Sequence, residues 1–197
     1  MSSIPRPTLL LHAGTLQGHV HLRERETEGR RLRVFLGLCE ETGTPAWVDA
    51  CPAAPPAPPA VLVIPTLLET PAAGEIDDAA AFVEAGGGLW LLSNHDPFHE
   101  HDDALARRFG FRFEKTFFHT PGVPTRLEGA RLSSHPLLDD PAGGPPVRTI
   151  VTNTTCSLPA GTRHPVASLP ASMRDRTADL PAAGRLFAAA VDPAPGA

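Results

Sequence analysis

The sequence contains no tyrosine, a single lysine, Lys115, and three cysteines among its 197 residues. Three is an odd number, and no two of the cysteines lie close together along the chain. This spacing excludes a disulfide framework and a zinc site built on cysteine pairs. The cysteines are Cys39, Cys51 and Cys156. Their small number fits a reducing compartment, and we expect a cytoplasmic protein.

Long hydrophobic runs and an excess of positive charge are also missing. No apolar run approaches the roughly 20 residues of a membrane-spanning helix. The N-terminus, MSSIPRPTLLLHAG, lacks the charged start and long apolar core of a signal peptide. The chain carries 17 Lys and Arg against 22 Asp and Glu, which gives a formal net charge of −5. Neither a membrane nor a nucleic acid is therefore an expected partner.

Proline is abundant instead, with 23 residues. The segment CPAAPPAPPA cannot form a helix or a central strand and favours an extended conformation. We predict a stiff internal loop at residues 52–59, because the strand that follows is needed to complete the sheet. The alternative is a recognition segment for a protein partner. Deleting it would then abolish partner binding while the fold survives.

Four apolar segments in the first half of the chain are typical of strands in a buried parallel sheet. They are residues 8–11, PAWVDA, AVLVIPTL and LWLL. A helix precedes LWLL, and it is predicted to begin with Thr70 as cap and Pro71 as first residue, or nearer Glu75. The glycines at 86–88 end that helix. Strand, helix and strand within about 30 residues predict one right-handed βαβ unit.

Two further helices are predicted from apolar spacing. One covers residues 32–42 and ends at a glycine. The other follows LWLL, with Asp96 as its cap and Pro97 as its first residue. Its apolar stripe is followed by Gly110, which is typical of a helix end.

The second half of the chain gives weaker strand signals. FRFEKTFFH alternates and is predicted to be an edge strand, and further strands are expected near residues 147–153, in HPVASLP and in GRLFAAAVDP. Trp90, within LWLL, is expected in the core. These elements predict a single α/β domain over residues 1–188, with a mostly parallel sheet and helices on both faces. A disordered tail is expected at 189–197.

Four motifs between residues 61 and 113 carry a family resemblance: VLVIPTL, EIDDAAAFVEAGGG, LWLLSNHDPF and LARRFGF. With them the chain resembles bacterial domains of the class I glutamine amidotransferase-like superfamily, including uncharacterised members and trehalose-utilisation-type proteins. The segments SSHPLL, VRTIVTNTTCSL and GRLFAAAVDP match more loosely. The resemblance implies a three-layer flavodoxin-like α/β fold. Relatives of this kind continue past GRLFAAAVDP, so we expect a frayed last strand or a trimmed fold.

The sequence departs from that family at the catalytic turn. Amidotransferases of this superfamily carry a nucleophilic cysteine on a sharp turn after a buried strand, whereas residues 93–96 here read SNHD. The usual His-x-Glu partner is missing as well, because His164 has no acid two residues later. Glutamine hydrolysis needs a thiolate activated by a neighbouring base. We therefore predict no glutaminase activity.

Polar side chains follow the predicted strands. The carboxyl ends of parallel strands meet at one edge of a sheet, where ligands usually bind. One polar loop follows the first strand, a second follows LWLL, and TNTTC ends a later strand. The predicted ligand-binding residues at this edge are His12, Thr15, His19, Asn94, His95, Asp96, His99 and Asn153.

A divalent metal is one interpretation of the stretch SNHDPFHEHDD. His95 and His99 are four residues apart, and Asp103 follows four later. On one continuous helix the three side chains would share a face, and imidazole with carboxylate suits zinc or iron. Pro97 argues against this register, because a helix that starts there leaves His95 outside it.

Two other interpretations remain open for the same stretch. His95 and Asp96 would form a catalytic acid–base pair that activates water, or Ser93 would act as the nucleophile. The glycines of an exposed nucleophile elbow are missing around Ser93. Alternatively, Asp96 and the other acids only start a helix, where its dipole favours them.

We expect a non-catalytic, amidotransferase-like domain. It would bind a small polar ligand or a protein partner at the carboxyl edge of the sheet. The alternative is a hydrolase that uses His95, Asp96 and His99, with a divalent metal as the one cofactor to consider. Otherwise no cofactor is expected.

Overall fold

The structure is a computed structural model, and it describes residues 6–12, 39–41, 43–56, 59–64, 67, 69–139 and 145–190. The chain divides into two compact units. The first unit comprises residues 1–92 and 104–109, and the second comprises residues 93–103 and 110–197.

The first unit contains a four-stranded parallel sheet that consists of β1 (Thr8–His12), β2 (Thr44–Val48), β3 (Ala60–Ile64) and β4 (Gly88–Leu91). The order of the strands across the sheet is β2-β1-β3-β4. The two central strands are leucine- and valine-rich and almost wholly buried, because both of their faces are covered. All four predicted strands are confirmed. Trp90 in β4 is 46% exposed, so its predicted place in the core was wrong.

Helix α1 (Ala73–Glu84) connects β3 to β4 and completes the predicted βαβ unit. It begins between the two predicted starts. The carboxylate of Glu75 accepts a hydrogen bond of 2.7 Å from the backbone N–H of Ala72, which satisfies one donor before the first turn. Thr70 and Pro71 therefore lie before the helix. Gly86, with a φ of 93°, follows its end as predicted.

The core of the first unit forms where α1 packs on the sheet. Phe82 is fully buried there, among Leu62, Ile64 and Ala79. Its ring lies directly against the backbone of Gly87, where an added Cβ would overlap ring carbons. The glycine run after α1 therefore leaves room for Phe82 as well as ending the helix.

Helix α2 (His99–Arg108) begins later than predicted. Asp96 is not its cap and Pro97 is not its first residue. Residues 96–98 form a turn in which the peptide before Pro97 is cis, and the N–H of Phe98 donates to the carbonyl of His95. The N–H of Asp96 donates to the carbonyl of Thr116, which holds the turn outside the helix. The helix ends before Gly110, whose φ is 78°, as predicted.

The described strands of the second unit all pair antiparallel. They are β5 (Glu114–His119), β6 (Thr125–Glu128), β7 (Thr149–Thr152), β8 (Thr154–Ser157), β9 (Pro165–Ser168), β10 (Arg174–Asp175) and β11 (Leu186–Ala189). The sheets have the orders β10-β5-β8, β6-β7 and β11-β9. The chain is thus a mixed α/β protein. Among the described residues, parallel pairing occurs only in the first unit.

Strand β5 corresponds to FRFEKTFFH but was wrongly predicted to be an edge strand. It is the central strand of its sheet, because β8 pairs along one side and β10 along the other. Phe118 points into a core shared with Leu169 and Met173. The later strands near 147–153, in HPVASLP and in GRLFAAAVDP are confirmed.

Some predictions concern residues that are only partly described. Of the helix at 32–42, the described residues 39–41 are helical. In the loop at 52–59, residues 52–56 and 59 lie outside helices and strands, as predicted. Thr15, His19 and residues 191–197 of the tail lie outside the described residues. None of the helices that the described residues form is long and apolar enough to cross a membrane.

Candidate functional site

The predicted site residues belong to both units. His12 is buried at the end of β1 in the first unit. Asn94, His95, Asp96 and His99 belong to the second unit. Asn153 also belongs to the second unit and is exposed in the bend between β7 and β8. Convergence of His12 with the residues of the second unit stays a prediction.

Three potential metal ligands converge where the 96–98 turn enters α2. Asp96, His99 and Glu100 each offer one ligand atom, and these atoms lie within 4.8 Å of one another. We call these residues the metal-ligand cluster. His99 is 5% exposed, whereas the side chains of Asp96 and Glu100 are 27% and 61% exposed. The cluster therefore has one buried nitrogen and two carboxylates that reach towards solvent.

Two atoms of this cluster are buried without a hydrogen bond. They are Nδ1 of His99 and Oδ1 of Asp96. The two atoms are 3.6 Å apart, which is too long for a hydrogen bond between nitrogen and oxygen. A buried polar atom without a partner costs about 1–3 kcal/mol, so such atoms are rare in folded proteins. One imidazole nitrogen and one carboxylate oxygen are ligand types that a metal ion could share.

The surroundings of His99 favour the neutral form of its imidazole. Burial lowers the pKa of His99 below its ordinary value, and this outweighs the opposing influence of Asp96 and the neighbouring acids. The ring is therefore neutral at pH 7, and a neutral imidazole nitrogen is the form that binds metal ions.

The ammonium group of Lys115 lies close to the metal-ligand cluster. Its Nζ lies 3.9 Å from Oδ1 of Asp96 and 3.8 Å from Oε1 of Glu100. The lysine side chain is 70% exposed, and ion pairs at such exposure contribute little stability. A cation bound between the carboxylates would displace the ammonium at small cost.

His95 does not join the cluster. It precedes α2, its Nδ1 lies 2.7 Å from the carbonyl oxygen of Asp96, and its ring stacks on Phe117 at 3.7 Å. Asp103 instead accepts a hydrogen bond of 2.6 Å from the N–H of Phe113. The helical metal register of His95, His99 and Asp103 therefore does not form. The position of Pro97 had argued against that register.

Ser93 and Cys156 form a partly buried hydrogen-bond network with Asp102. The hydroxyl of Ser93 donates to Oδ2 of the fully buried Asp102 at 2.7 Å. The thiol of Cys156 donates to the hydroxyl of Ser93 at 3.5 Å. Burial raises the pKa of Cys156 to about 12, so the sulfur stays protonated. Neither side chain is set up as a nucleophile.

A cavity of about 330 Å³ also lies in the second unit. Its lining residues are Arg112, Glu114, Lys115, Thr116, Pro159 and Arg185. Glu114 pairs with Arg185 and accepts a hydrogen bond from Ser157 at 2.6 Å. Sequence reasoning missed this cavity. The one signal in the sequence was that the single lysine of the chain follows Arg112 by three residues in the alternating segment FRFEKTFFH.

Comparison of the chain with family models, with curated proteins and with solved structures finds no match. The resemblance to the amidotransferase-like superfamily therefore remains a prediction from the motifs alone.

Proposed function

We propose that the second unit binds a divalent transition-metal ion through Asp96, His99 and Glu100. The observation that carries this proposal is the pair of buried, unbonded atoms, Nδ1 of His99 and Oδ1 of Asp96. A metal ion coordinated by both would remove two unsatisfied groups at once. Neither atom has a hydrogen-bond partner among the described residues.

The chemistry of the three ligands suits zinc. Zinc binds imidazole nitrogen and carboxylate oxygen at about 2.0–2.2 Å, so two ligands of a tetrahedral ion lie about 3.3 Å apart. The observed 3.6 Å between the two buried atoms is close to that separation. Glu100 is exposed and free to move towards the ion. Three protein ligands leave a fourth position, which is typical of zinc sites that bind a further molecule.

We further propose that the first unit is an amidotransferase-like, flavodoxin-like scaffold without glutaminase activity. The parallel order β2-β1-β3-β4 and the β3-α1-β4 crossover support this scaffold. Cys39, Cys51 and Cys156 form no disulfide and have raised pKa values, which supports a binding role over thiol catalysis. Reduced cysteines also suit a reducing compartment such as the cytoplasm.

Calorimetric titration with Zn²⁺, after treatment with a chelator and its removal, tests metal binding. We expect one ion per chain. The variants His99→Gln and Glu100→Gln should each weaken binding at least about tenfold, since even the loss of a group that only supports a ligand costs that much. Glu100 is 61% exposed, so its variant tests the site without disturbing the core.

His101→Gln is the matched control, because His101 lies on α2 but outside the cluster. It should bind Zn²⁺ as the wild type does. Equal affinity in the wild type and in both cluster variants, or no binding at all, would contradict the proposal.

A further inference from the structure

We infer that the cavity beside the metal-ligand cluster binds a small oxyanion, which is a carboxylate, phosphate or sulfate group. Lys115 couples the binding of this anion to the binding of the metal ion. This inference rests on the proposed function. It names the class of ligand that would occupy the cavity lined by Lys115.

The charge of the cavity lining favours an anion. Arg112, Lys115 and Arg185 contribute three positive charges, and Glu114 contributes one negative charge. Glu114 is committed to Arg185 by their ion pair. Arg112 therefore supplies surplus positive charge, and Lys115 adds to it once its ammonium leaves Asp96 and Glu100. Guanidinium and ammonium groups are the side chains that recognise carboxylate and phosphate oxygens.

Lys115 belongs to both sites. It lines the cavity, and its Nζ also lies within 4 Å of Asp96 and Glu100 in the metal-ligand cluster. A metal ion bound to those carboxylates would repel the ammonium and neutralise its partners. The flexible lysine would then be available to an anion in the cavity. An anion bound there would in turn hold Lys115 away from the carboxylates that the metal needs.

The two ligands should therefore bind with positive cooperativity, and this effect must be reciprocal. The coupling depends on one exposed side chain that changes partners, without a rearrangement of the fold. Arg112 is exposed and would contribute to anion binding only, because it lines the cavity but is not part of the cluster.

Zinc titrations in sulfate, in acetate and in chloride of matched ionic strength test this coupling. Sulfate or acetate should raise the affinity of the wild type for Zn²⁺ about fivefold or more relative to chloride, a common size for coupling between two sites. A larger effect of sulfate assigns the cavity to tetrahedral oxyanions such as phosphate groups. A larger effect of acetate assigns it to carboxylates.

Two variants separate the contributions. Lys115→Met should raise the Zn²⁺ affinity in chloride about fivefold, the factor that corresponds to one unit charge about 4 Å away in water. The same variant should abolish the sulfate and acetate effects. Arg112→Met should leave the affinity in chloride unchanged and reduce the anion effect. Arg163→Met, at an exposed arginine outside the cavity lining, is the control and should behave as the wild type.

The outcomes distinguish this inference from the proposed function. Zn²⁺ binding that depends on His99 but is the same in all three salts would overturn the coupling and leave the metal site intact. An anion effect that survives in Lys115→Met would also overturn it. No Zn²⁺ binding in any salt would overturn the metal site itself.

Discussion

The hydroxyl of Ser93 donates a hydrogen bond of 2.7 Å to the carboxylate of Asp102, which is fully buried. Ser93 thus supplies a hydrogen bond to a buried carboxyl group. Ser93→Ala should lower the free energy of unfolding by about 1–3 kcal/mol, because a buried carboxylate loses one of its partners. Denaturant unfolding measures this change.

Zinc affinity should be unchanged in Ser93→Ala, since Ser93 is not part of the metal-ligand cluster. Ser134→Ala, at an exposed serine of the same unit, should leave the stability within about 0.5 kcal/mol of the wild type. If Ser93→Ala proved as stable as Ser134→Ala, the hydrogen bond to Asp102 would have no structural role.

The thiols of Cys51 and Cys156, half-buried and buried respectively, should react slowly in the native protein. Burial raises the pKa of Cys51 to about 11 and that of Cys156 to about 12, so almost no thiolate exists at pH 8. A disulfide reagent such as Ellman's reagent should modify Cys156 far more slowly in the folded chain than in guanidinium. The same reason predicts no release of ammonia from glutamine. Glutaminase activity that Cys156→Ala abolishes would show that the sulfur is activated after all.

The stability of the protein should fall as the pH is lowered from 7 to 5, in part because of His12. Burial lowers the pKa of His12 from its ordinary value of 6.5, and the nearby acids Glu75 and Asp49 oppose this only partly. The unfolded chain therefore binds a proton at His12 at a higher pH than the folded chain does. The contribution of His12 therefore favours the folded state above pH 6.5, and this contribution is lost as the pH falls through the lowered pKa.

The variant His12→Asn tests whether His12 contributes to the pH dependence of stability. Its unfolding free energy, measured in chelator between pH 5 and 7, should fall less steeply than that of the wild type. Part of the pH dependence should remain in this variant, because His99 also has a lowered pKa. His164→Asn, at an exposed histidine, should retain the full slope. A slope that is identical in all three proteins would rule out His12 as a source.

The glycines around α1 should respond differently to alanine. Gly87→Ala should destabilise the protein by about 1–3 kcal/mol, because the new methyl group would overlap the buried ring of Phe82. Gly74 lies in the first turn of α1 with open space around it, so Gly74→Ala should be neutral or stabilising by up to about 1 kcal/mol. Thermal unfolding of the two variants would show the contrast. Equal midpoints would mean that the core accommodates the methyl group.

Local sequence patterns predicted the strands of the first unit and their βαβ connection, whereas in the second unit they predicted several strands but not their pairing. The run AVLVI specifies a buried parallel strand by its composition alone, and the following helix and glycines complete the crossover. The pairing of β5 depends on β8 and β10, which lie some tens of residues away and are only four and two residues long. No periodicity within β5 indicates that both of its edges are covered.

The sequence predicted two residues of the candidate site but neither its other members nor its geometry. Asp96 and His99 were among the predicted residues, yet their relation depends on the turn at 96–98. The carbonyl of Thr116 fixes that turn, and this contact spans twenty residues of sequence. Glu100 and Lys115 join the site only because the turn and β5 are held together. Such a long-range contact leaves no pattern in the sequence itself.

The scarcity of lysine provides a natural reporter. Lys115 is the only lysine of the chain, its amine is exposed, and it stands beside both carboxylates of the metal-ligand cluster. Reductive methylation with ¹³C-formaldehyde would therefore introduce a single side-chain resonance. Its chemical shift would follow the departure of the ammonium from Asp96 and Glu100 as zinc and then sulfate are added, with no mutation required.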